Sequence, residues 1–517
     1  MIDILSVDNM RRSDAATIAS GTPGRELMMR AARGVFESVS WKPPVAIVCG
    51  SGNNAGDGYV LALLLYEAGI ECTVFCVYDR FSEDGRYYYD KCVEQGIKCV
   101  DGSELAKSVS KRTVPFDTIV DCLLGTGFKG EVRPELKAVI DAINECDAFT
   151  VSVDINSGLN GNNGMADTCV RSDLTVSVGG FKPGHFLNMA KDVMADKVNI
   201  DIGIEPVDEP YHLLEEDDMR AVLGLRKNFS NKGTYGYAAL IGGSTRYSGA
   251  IRLAYMANAA MRSGAGVVKV ALPASIVHDV APHILESTLF PLSCRSIGNG
   301  NDGDESGAMT EVVYVSEEVD ELISNVKTVA FGMGIGTSEG AAAILEHLLE
   351  KYTGTLIIDA DGLNLLAGID PDSIKDRKCD IVLTPHVKEF SRLCGASVSE
   401  IQNDPIGLAR EYAAANKVTL LLKGPSTVIT DGDRVFITDR GCAGMATAGS
   451  GDVLSGILAA VCAFAAPNAD TSMKDITLDA AAAAYINGAA GELAQKEFGS
   501  ISMIASDTIA AIPKILV

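Results

Sequence analysis

Residues 44–58 read PVAIVCGSGNNAGDG. The run Val45–Cys49 is apolar, Gly50 ends it, and a Leu/Ala-rich helix candidate occupies 57–68. A buried strand, a glycine turn and a helix, in that order, open a parallel α/β unit. Glycines in such a turn let the backbone approach a phosphate, and the helix start adds unpaired N–H donors.

The same alternation spreads outward. TVFCVYD (73–79), DTIVDCLLG (117–125), FTVSVDI (149–155) and DLTVSVG (173–179) are further buried-strand candidates. Near-continuous apolar strands separated by helices belong to a parallel sheet covered on both faces. Over 205–231 the pattern gives way to an acidic stretch with two prolines, which places a domain boundary near 212–225 and a solvated linker at 214–218. The alternation then restarts with YAALIGG (237–243), a helix at 249–263, VVKVALP (267–273), TVAFGMGIG (328–336), TLIIDADGL (355–363), DIVLTPH (380–386) and VTLLLKG (418–424). STVITDGDRVFITD (426–439) reads as a hairpin turning at Asp431-Gly432. Residues 293–313, rich in Gly, Asn, Asp and Ser, read as a mobile surface loop.

With 517 residues the chain exceeds one ordinary domain and fits two. Its formal net charge of −24 repels nucleic-acid backbones, although local N–H groups can still hold a nucleotide. Thirteen cysteines, an odd number with no CxxC pair, argue for a reducing, cytoplasmic setting and against a disulfide framework. The N-terminus has no apolar signal region. The longest apolar stretch, Leu454–Ala466, falls short of the roughly 20 residues that span a bilayer and reads as a buried helix.

Within GSGNNAGDG (50–58), Gly50, Gly52 and Ala55 fit a G-x-G-x-x-A dinucleotide turn, with Asp79 near the end of the next strand as a ribose-binding acid. That turn does not call for Asn53-Asn54 followed by Gly56-Asp57-Gly58. Two amides and a carboxylate at a strand's carboxyl end make a polar site. Two later strand ends add to it: Asp121 with GTGFKGE (125–131), and Asp154 with Ser157 in VDINSGL (153–159). Singly, each serves equally well as a cap or turn residue. Together they make a ligand site the stronger reading.

In the second half, AGSGDVLSGIL (448–458) is the most specific motif. Ala448–Gly451 read as a flexible turn and Val453 onward as helix, so that backbone N–H groups form an anion hole. Asp452 stands at its mouth, where a carboxylate can take a proton from a hydroxyl attacking a phosphoryl group. The plainer reading of Asp452 alone is a helix cap.

NNAGDG, DCLLGTGFKGE and VDINSGL, in this order and spacing, resemble the NAD(P)H-hydrate epimerase domain over about residues 1–215. The resemblance implies a Rossmann-like three-layer α/β/α domain that interconverts the R and S epimers, at C6, of NADHX and NADPHX. It implies a potassium ion held by Asn54, Asp121 and Ser157. Substrate contacts are implied for Asn53, Asn54, Ala55, Gly56 and Asp57, for Gly125, Thr126, Gly127, Phe128, Lys129, Gly130 and Glu131, and for Asp154. Asp154, and after it Asp57, is the expected acid or base. The family usually has glycine where Ala55 stands and proline where Asn156 stands, which bears on the potassium site.

GTYGYAALIGG (233–243), RSGAG (262–266), FGMGIG (331–336), TPHVKEF (384–390) and KGPSTV (423–428) precede AGSGDVLSGIL. As a set they resemble the ADP-dependent NAD(P)H-hydrate dehydratase domain, a branch of the ribokinase-like α/β/α fold, over about 225–517. The resemblance implies a nucleotide cradled by Lys423, Gly424, Pro425, Ser426, Thr427 and Gly451, and a hydrate site lined by Ala259, Gly334, His386 and Asp452. It also implies ADP, with ATP as the alternative, and Mg²⁺. The implied reaction phosphorylates the hydroxyl and then eliminates it, giving AMP and phosphate, with Asp452 as base. A homo-oligomer is expected, with no nucleic-acid or membrane partner. Two other readings stand beside this one. A sugar or vitamin kinase carries G-x-G-D at the same place, and the first half has relatives that are non-catalytic binding modules in mRNA-decapping scaffolds.

Overall fold

The computed structural model describes residues 1–110, 116–259, 262–297, 309–370, 374–464 and 474–516. The chain divides into two compact units, Asp3–Tyr211 and His212–Val517, the latter joined by Met1–Ile2.

The first unit holds seven parallel strands in the order Lys98–Asp101, Cys72–Cys76, Val45–Cys49, Thr118–Cys122, Phe149–Val153, Ser172–Val178, Met194–Ile200. Chain order therefore reverses between Val45–Cys49 and Thr118–Cys122. Open α/β sheets take ligands outside the carboxyl ends of the strands at such a switch point. Alternate residues of Val45–Cys49 enter opposite cores. Val45, Ile47 and Cys49 meet Met28, Ala32 and Tyr59 of helices Gly24–Ser38 and Asn53–Glu67. Ala46 and Val48 meet Leu136, Val139 and Ile140 of helix Pro134–Glu145. Both faces are covered, which is why the strand shows no polar alternation.

Helix Asn53–Glu67 starts at Asn53 rather than at 57, because Gly52 takes the extended N-cap conformation. Asn53, Asn54 and Asp57 thus ride on its first turns. The strands Lys98–Asp101 and Met194–Ile200 lie at the two sheet edges and are partly exposed. Their mixed polar sequence gives no strand signal.

In the second unit, parallel strands run in the order Thr288–Leu292, Val267–Pro273, Tyr237–Ile241, Thr328–Phe331, Thr355–Ile358, Asp380–Leu383, Thr419–Leu422. Thr427–Thr430 and Val435–Thr438 extend this sheet antiparallel. Thr430 pairs with Val435, so the hairpin loop is Asp431–Arg434 and not a two-residue turn. Asp431 Oδ1 accepts from the amides of Asp433 (3.1 Å) and Arg434 (2.8 Å), which closes the longer loop. Helix Ser450–Phe464 is buried from Val453 to Ala463 and packs on helix Ile476–Phe498.

Two expectations need correction. The acidic stretch at 214–218 is not a linker: Glu216–Leu223 is a helix whose Met219 is fully buried, and Glu216, Asp217 and Asp218 occupy its first turn, where the helix dipole favours acids. Within 293–313, Cys294–Ile297 and Met309–Val312 pair as antiparallel strands, and 298–308 lie outside the described residues. None of the thirteen cysteines forms a disulfide. No helix among the described residues is long and apolar enough to cross a membrane.

Candidate functional sites

A cavity of about 550 Å³ opens at the switch point of the first sheet. Asn53, Asn54, Asp57, Thr126, Asp154 and Lys182 are part of its polar lining, and Leu27, Met28, Leu123, Val178, Ile202 and Ile204 are part of its apolar lining. Helix Val7–Ala19 forms one wall with Val7, Met10, Arg11, Asp14 and Ile18. Its far side is pinned down: Asn9 Nδ2 donates to the Asp208 carbonyl at 3.0 Å, and Ser13 Oγ accepts from the Val207 amide at 3.0 Å.

Asp154 follows strand Phe149–Val153 with φ at 67°, an unusual conformation that turns its carboxylate into the cavity. Lys182 Nζ donates to Asp154 Oδ1 at 2.7 Å and to the Val178 carbonyl at 2.8 Å. The Thr126 amide (2.9 Å) and hydroxyl (3.0 Å) donate to Oδ2. His185 Nδ1 accepts from the Lys182 amide at 2.9 Å, so Nε2 carries the hydrogen and donates to the Asp154 carbonyl at 2.7 Å. Burial pushes His185 down to about 4, which keeps the ring neutral.

Two of the cavity carboxylates, Asp57 and Asp154, are driven apart. Burial opposes the charge of Asp154, but Lys182 and the Thr126 amide outweigh it and hold the carboxyl below its usual range. Burial first, and the Asp154 charge second, hold the Asp57 carboxyl well above that range. A neutral acid and an ionised carboxylate therefore face one cavity, the arrangement in which one can give a proton while the other takes one.

Behind this pair lies a fully buried Asp121. Its Oδ1 accepts from Ser157 Oγ at 2.5 Å, and its Oδ2 from the Ser157 amide at 2.9 Å and Ser152 Oγ at 3.0 Å. Burial nevertheless raises its carboxyl. Asn54 is 7% exposed, and neither Oδ1 nor Nδ2 has a hydrogen-bond partner. A Cβ on Gly125 would stand 3.0 Å from Asp154 Oδ2 and 3.4 Å from Asn54 Cβ, so glycine there allows the three to meet.

The departures at 55 and 156 have local explanations. Ala55 is helical and 1% exposed in the core. Asn156 replaces the rigidity of a proline with hydrogen bonds: Nδ2 to the carbonyls of Val170 (2.8 Å) and Val193 (2.9 Å) and to Ser172 Oγ (3.0 Å), and Oδ1 from Thr175 Oγ1 (2.6 Å).

Not every expected contact residue lines the cavity. Ala55 and Gly56 face the helix packing; a Cβ on Gly56 would come within 2.4 Å of Met28 Cε. Gly125, Thr126, Gly127 and Phe128 line the wall, whereas Lys129, Gly130 and Glu131 are exposed outside it.

In the second unit the carboxyl ends of the central strands carry a matching cluster. Asp359, 2% exposed after strand Thr355–Ile358, accepts from Lys423 Nζ at 3.0 Å and from Ser455 Oγ at 2.7 Å. Burial opposes its charge, but Lys423, Ser455 and Thr384 hold the carboxyl below its usual range. Asp452 lies inside the first turn of helix Ser450–Phe464, which begins earlier than the glycine turn suggested. Burial and then the Asp359 charge push Asp452 up to about 7, with Lys423 opposing. A base poised near 7 suits proton abstraction at neutral pH.

Gly451 belongs to the same cluster: a Cβ there would stand 3.5 Å from Lys423 Nζ. Gly334 sits in the turn after Thr328–Phe331, against Tyr247 and Ala250. His386 caps helix Val387–Cys394, with Nδ1 accepting from the amides of Lys388 and Glu389 (both 3.1 Å), and its half-exposed ring leaves Nε2 toward Glu389. Gly424 and Pro425 are exposed; Ser426 is buried and donates to Asp439 Oδ1 at 2.9 Å; Thr427 opens the next strand. Ala259 ends helix Ser248–Ala259, and its side chain lies outside the described residues.

Sequence reasoning missed Lys182, His185 and Asp359. The signal for Lys182 is a lone lysine in the apolar run VSVGGFKPGHFL (176–187). For Asp359 it is the acid that closes TLIID, in the position of Asp121 and Asp154.

Residues 24–184 match the family model described as YjeF-related protein N-terminus, and 238–514 match that of NAD(P)H-hydrate dehydratase. The chain is 32% identical over 516 residues to the bifunctional NAD(P)H-hydrate repair enzyme of Archaeoglobus fulgidus, covering 99% of this chain and 98% of that one. It belongs to that family. Family members from Coxiella burnetii (31% identical, 96% of each chain) and Escherichia coli (31%, 98% of this chain and 93% of that one) match as fully. Among solved structures, the ADP/ATP-dependent NAD(P)H-hydrate dehydratase of Bacillus subtilis, co-crystallised with ATP and Mg²⁺, is 25% identical with a TM-score of 0.46, over 59% of this chain and 97% of that one.

Proposed function

We propose that the chain repairs hydrated NADH and NADPH, with epimerase chemistry in residues 1–215 and ADP-dependent dehydration in 225–517. The observation that carries this reading is the pair of acids in each unit with opposed proton affinities: Asp57 above and Asp154 below the usual range in one, Asp452 above and Asp359 below it in the other.

In the first unit, Asp57 gives its proton to the C6 hydroxyl, which leaves as water while the ring nitrogen forms a double bond to C6. Water adds back on the other face and passes its proton to Asp154. The environments that set the two carboxyls then return the proton to Asp57. Apolar walls exclude other water. The buried, unpartnered Asn54 supports a cation there, with Asn54, Asp121 and Ser157 as the groups that would hold potassium. Such an ion would supply positive charge beside Asp154.

In the second unit, the Asp452 carboxylate takes the proton of the C6 hydroxyl as that oxygen attacks the terminal phosphoryl of ADP, and AMP leaves. Loss of phosphate from C6, with a proton from C5, restores the ring double bond. The amides of Gly449 and Gly451, where the helix of Asp452 begins, would stabilise the developing charge. Mg²⁺ would neutralise nucleotide phosphates. Thirteen cysteines, none in a disulfide, support a reducing, cytoplasmic location.

The test mixes purified protein, a mixture of both NADHX epimers, Mg²⁺ and either ADP or ATP, and follows the absorbance of reduced nicotinamide. Near-complete recovery, including the share held as R epimer, is expected and names the nucleotide. Release of a phosphorylated product without reduced cofactor would favour the kinase reading.

A further inference from the structure

Asp359 has no part in the motif-based site, yet it is the most constrained acid of the second unit. Its carboxylate is 3% exposed and engaged on both oxygens, by Lys423 on one and Ser455 on the other. Ser455 lies three residues beyond Asp452 on the same helix, hence on the same face. Thr384, just after the neighbouring strand, helps keep the carboxylate ionised, and its hydroxyl donates to the Ile358 carbonyl at 3.4 Å. Backbone geometry fixes the acid further: Ala360 holds a positive φ of 50°, and a Cβ on Gly332 would stand 2.0 Å from the Asp359 carbonyl oxygen. Asp361, two residues on, accepts from the Gly336 amide at 2.8 Å, tying the turn to the glycine-rich loop after Thr328–Phe331. Strain of this kind persists only where the surroundings over-determine it.

We propose that Asp359 is a positioning residue for dehydration: through Lys423 it aims the one cation of the nucleotide loop, and through Ser455 it fixes the start of the helix that carries Asp452. This rests on the reading of Asp452 as base and of Lys423 as a nucleotide contact. Asp359 itself is too deep to touch substrate. The groups that face Asp452 are Asp359 and Lys423 at the strand ends and Asp361 on the adjoining turn. Lys423 keeps 21% of its side chain exposed, so the lysine can reach a phosphate while its partner stays buried. Removing the Asp359 charge leaves the Lys423 charge uncompensated beside Asp452. That makes Asp452 a weaker base and moves its titration to lower pH.

The experiment measures dehydration of the S epimer against pH, with ADP and Mg²⁺, for the wild type and for Asp359→Asn, Lys423→Gln, the double variant Asp359→Asn/Lys423→Gln, and Asp452→Asn. Asp359→Asn should lower kcat about tenfold or more, with the acidic limb of the kcat profile moving down by about one unit. Lys423→Gln should move that limb up and raise the KM for ADP. The double variant should bring the limb back toward the wild-type position, because it removes a compensated pair. It also covers the case in which Asp359→Asn alone does not fold, since no unpaired charge remains buried. A limb that stays in place in Asp359→Asn, or one that stays as low in the double variant as in Asp359→Asn alone, would overturn the proposal and leave Asp359 a packing residue. Asp452→Asn separates the premise from the inference: if it still dehydrates the S epimer, the base assignment fails whatever Asp359 does.

Discussion

The two units solve one electrostatic problem in two ways. Each places an ionised aspartate at a strand end beside positive-φ backbone, neutralises it with a lysine, and sets a second aspartate, of raised proton affinity, on the first turns of a helix. In the first unit the lysine is sealed, with Lys182 1% exposed, and the ionised Asp154 shows 16% of its side chain to the cavity. In the second the acid is sealed, with Asp359 3% exposed, and Lys423 keeps 21%. In the proposed chemistry the exposed partner is the reagent: a carboxylate for a ring that loses and regains water, a cation for a nucleotide that gives up phosphate.

The largest effect that would break this comparison is at Asp452. Asp452→Asn should lower dehydration at least about a hundredfold while epimerisation persists, as measured by proton NMR of each epimer. Loss of both activities would sink the idea of independent sites. Next comes Lys182→Met. It leaves Asp154 buried without its counter-charge, so epimerisation should collapse and the first unit should lose about 3–5 kcal/mol in denaturant unfolding. An unchanged unfolding midpoint would mean that the pair contributes little.

The pH profiles sharpen the contrast. Dehydration needs Asp452 ionised, so its rate should rise as pH increases through about 7. Epimerisation needs Asp57 protonated and Asp154 ionised. Its rate should hold down to acid pH, failing below the usual carboxylate range, and should fall as pH climbs through the raised Asp57 value. The two pH dependences should have opposite signs in one preparation, dehydration rising through about 7 and epimerisation falling through the raised Asp57 value; two profiles that both rise would contradict the assignment.

Smaller effects test the two departures. Asn156→Ala strands buried partners at Val170, Thr175 and Val193 and should cost about 1–3 kcal/mol of stability. Ala55→Gly, in a helix interior, should cost about 0.5–1 kcal/mol and leave epimerisation intact.

The sequence announced the buried strands and the acids that follow them, because a parallel sheet covered on both faces writes a continuous apolar run and breaks it with a polar residue at the ligand end. Asp121 and Asp154 were legible for that reason, and Asp57 and Asp452 through the glycine-rich turns that open their helices. Their counter-ions were not. Lys182 stands 28 residues after Asp154 and Lys423 stands 64 after Asp359, so which lysine neutralises which acid depends on strand order. The sequence places Lys423 in the nucleotide cradle but says nothing of its partner. The edge strands escaped notice because half of each faces water, and the hairpin loop because an Asx turn can stretch Asp-Gly to four residues.

The helix Val7–Ala19 carries a practical consequence for anyone who moves the first unit elsewhere. The recognised family segment runs over 24–184, yet the cavity takes Val7, Met10, Asp14 and Ile18 from before it and Ile202 and Ile204 from after it. The ties of Asn9 to Asp208 and of Ser13 to Val207 clasp those two flanks to each other. The transplantable piece is therefore the whole of Asp3–Tyr211, and a graft cut to the recognised segment would carry the acids but open them to bulk water.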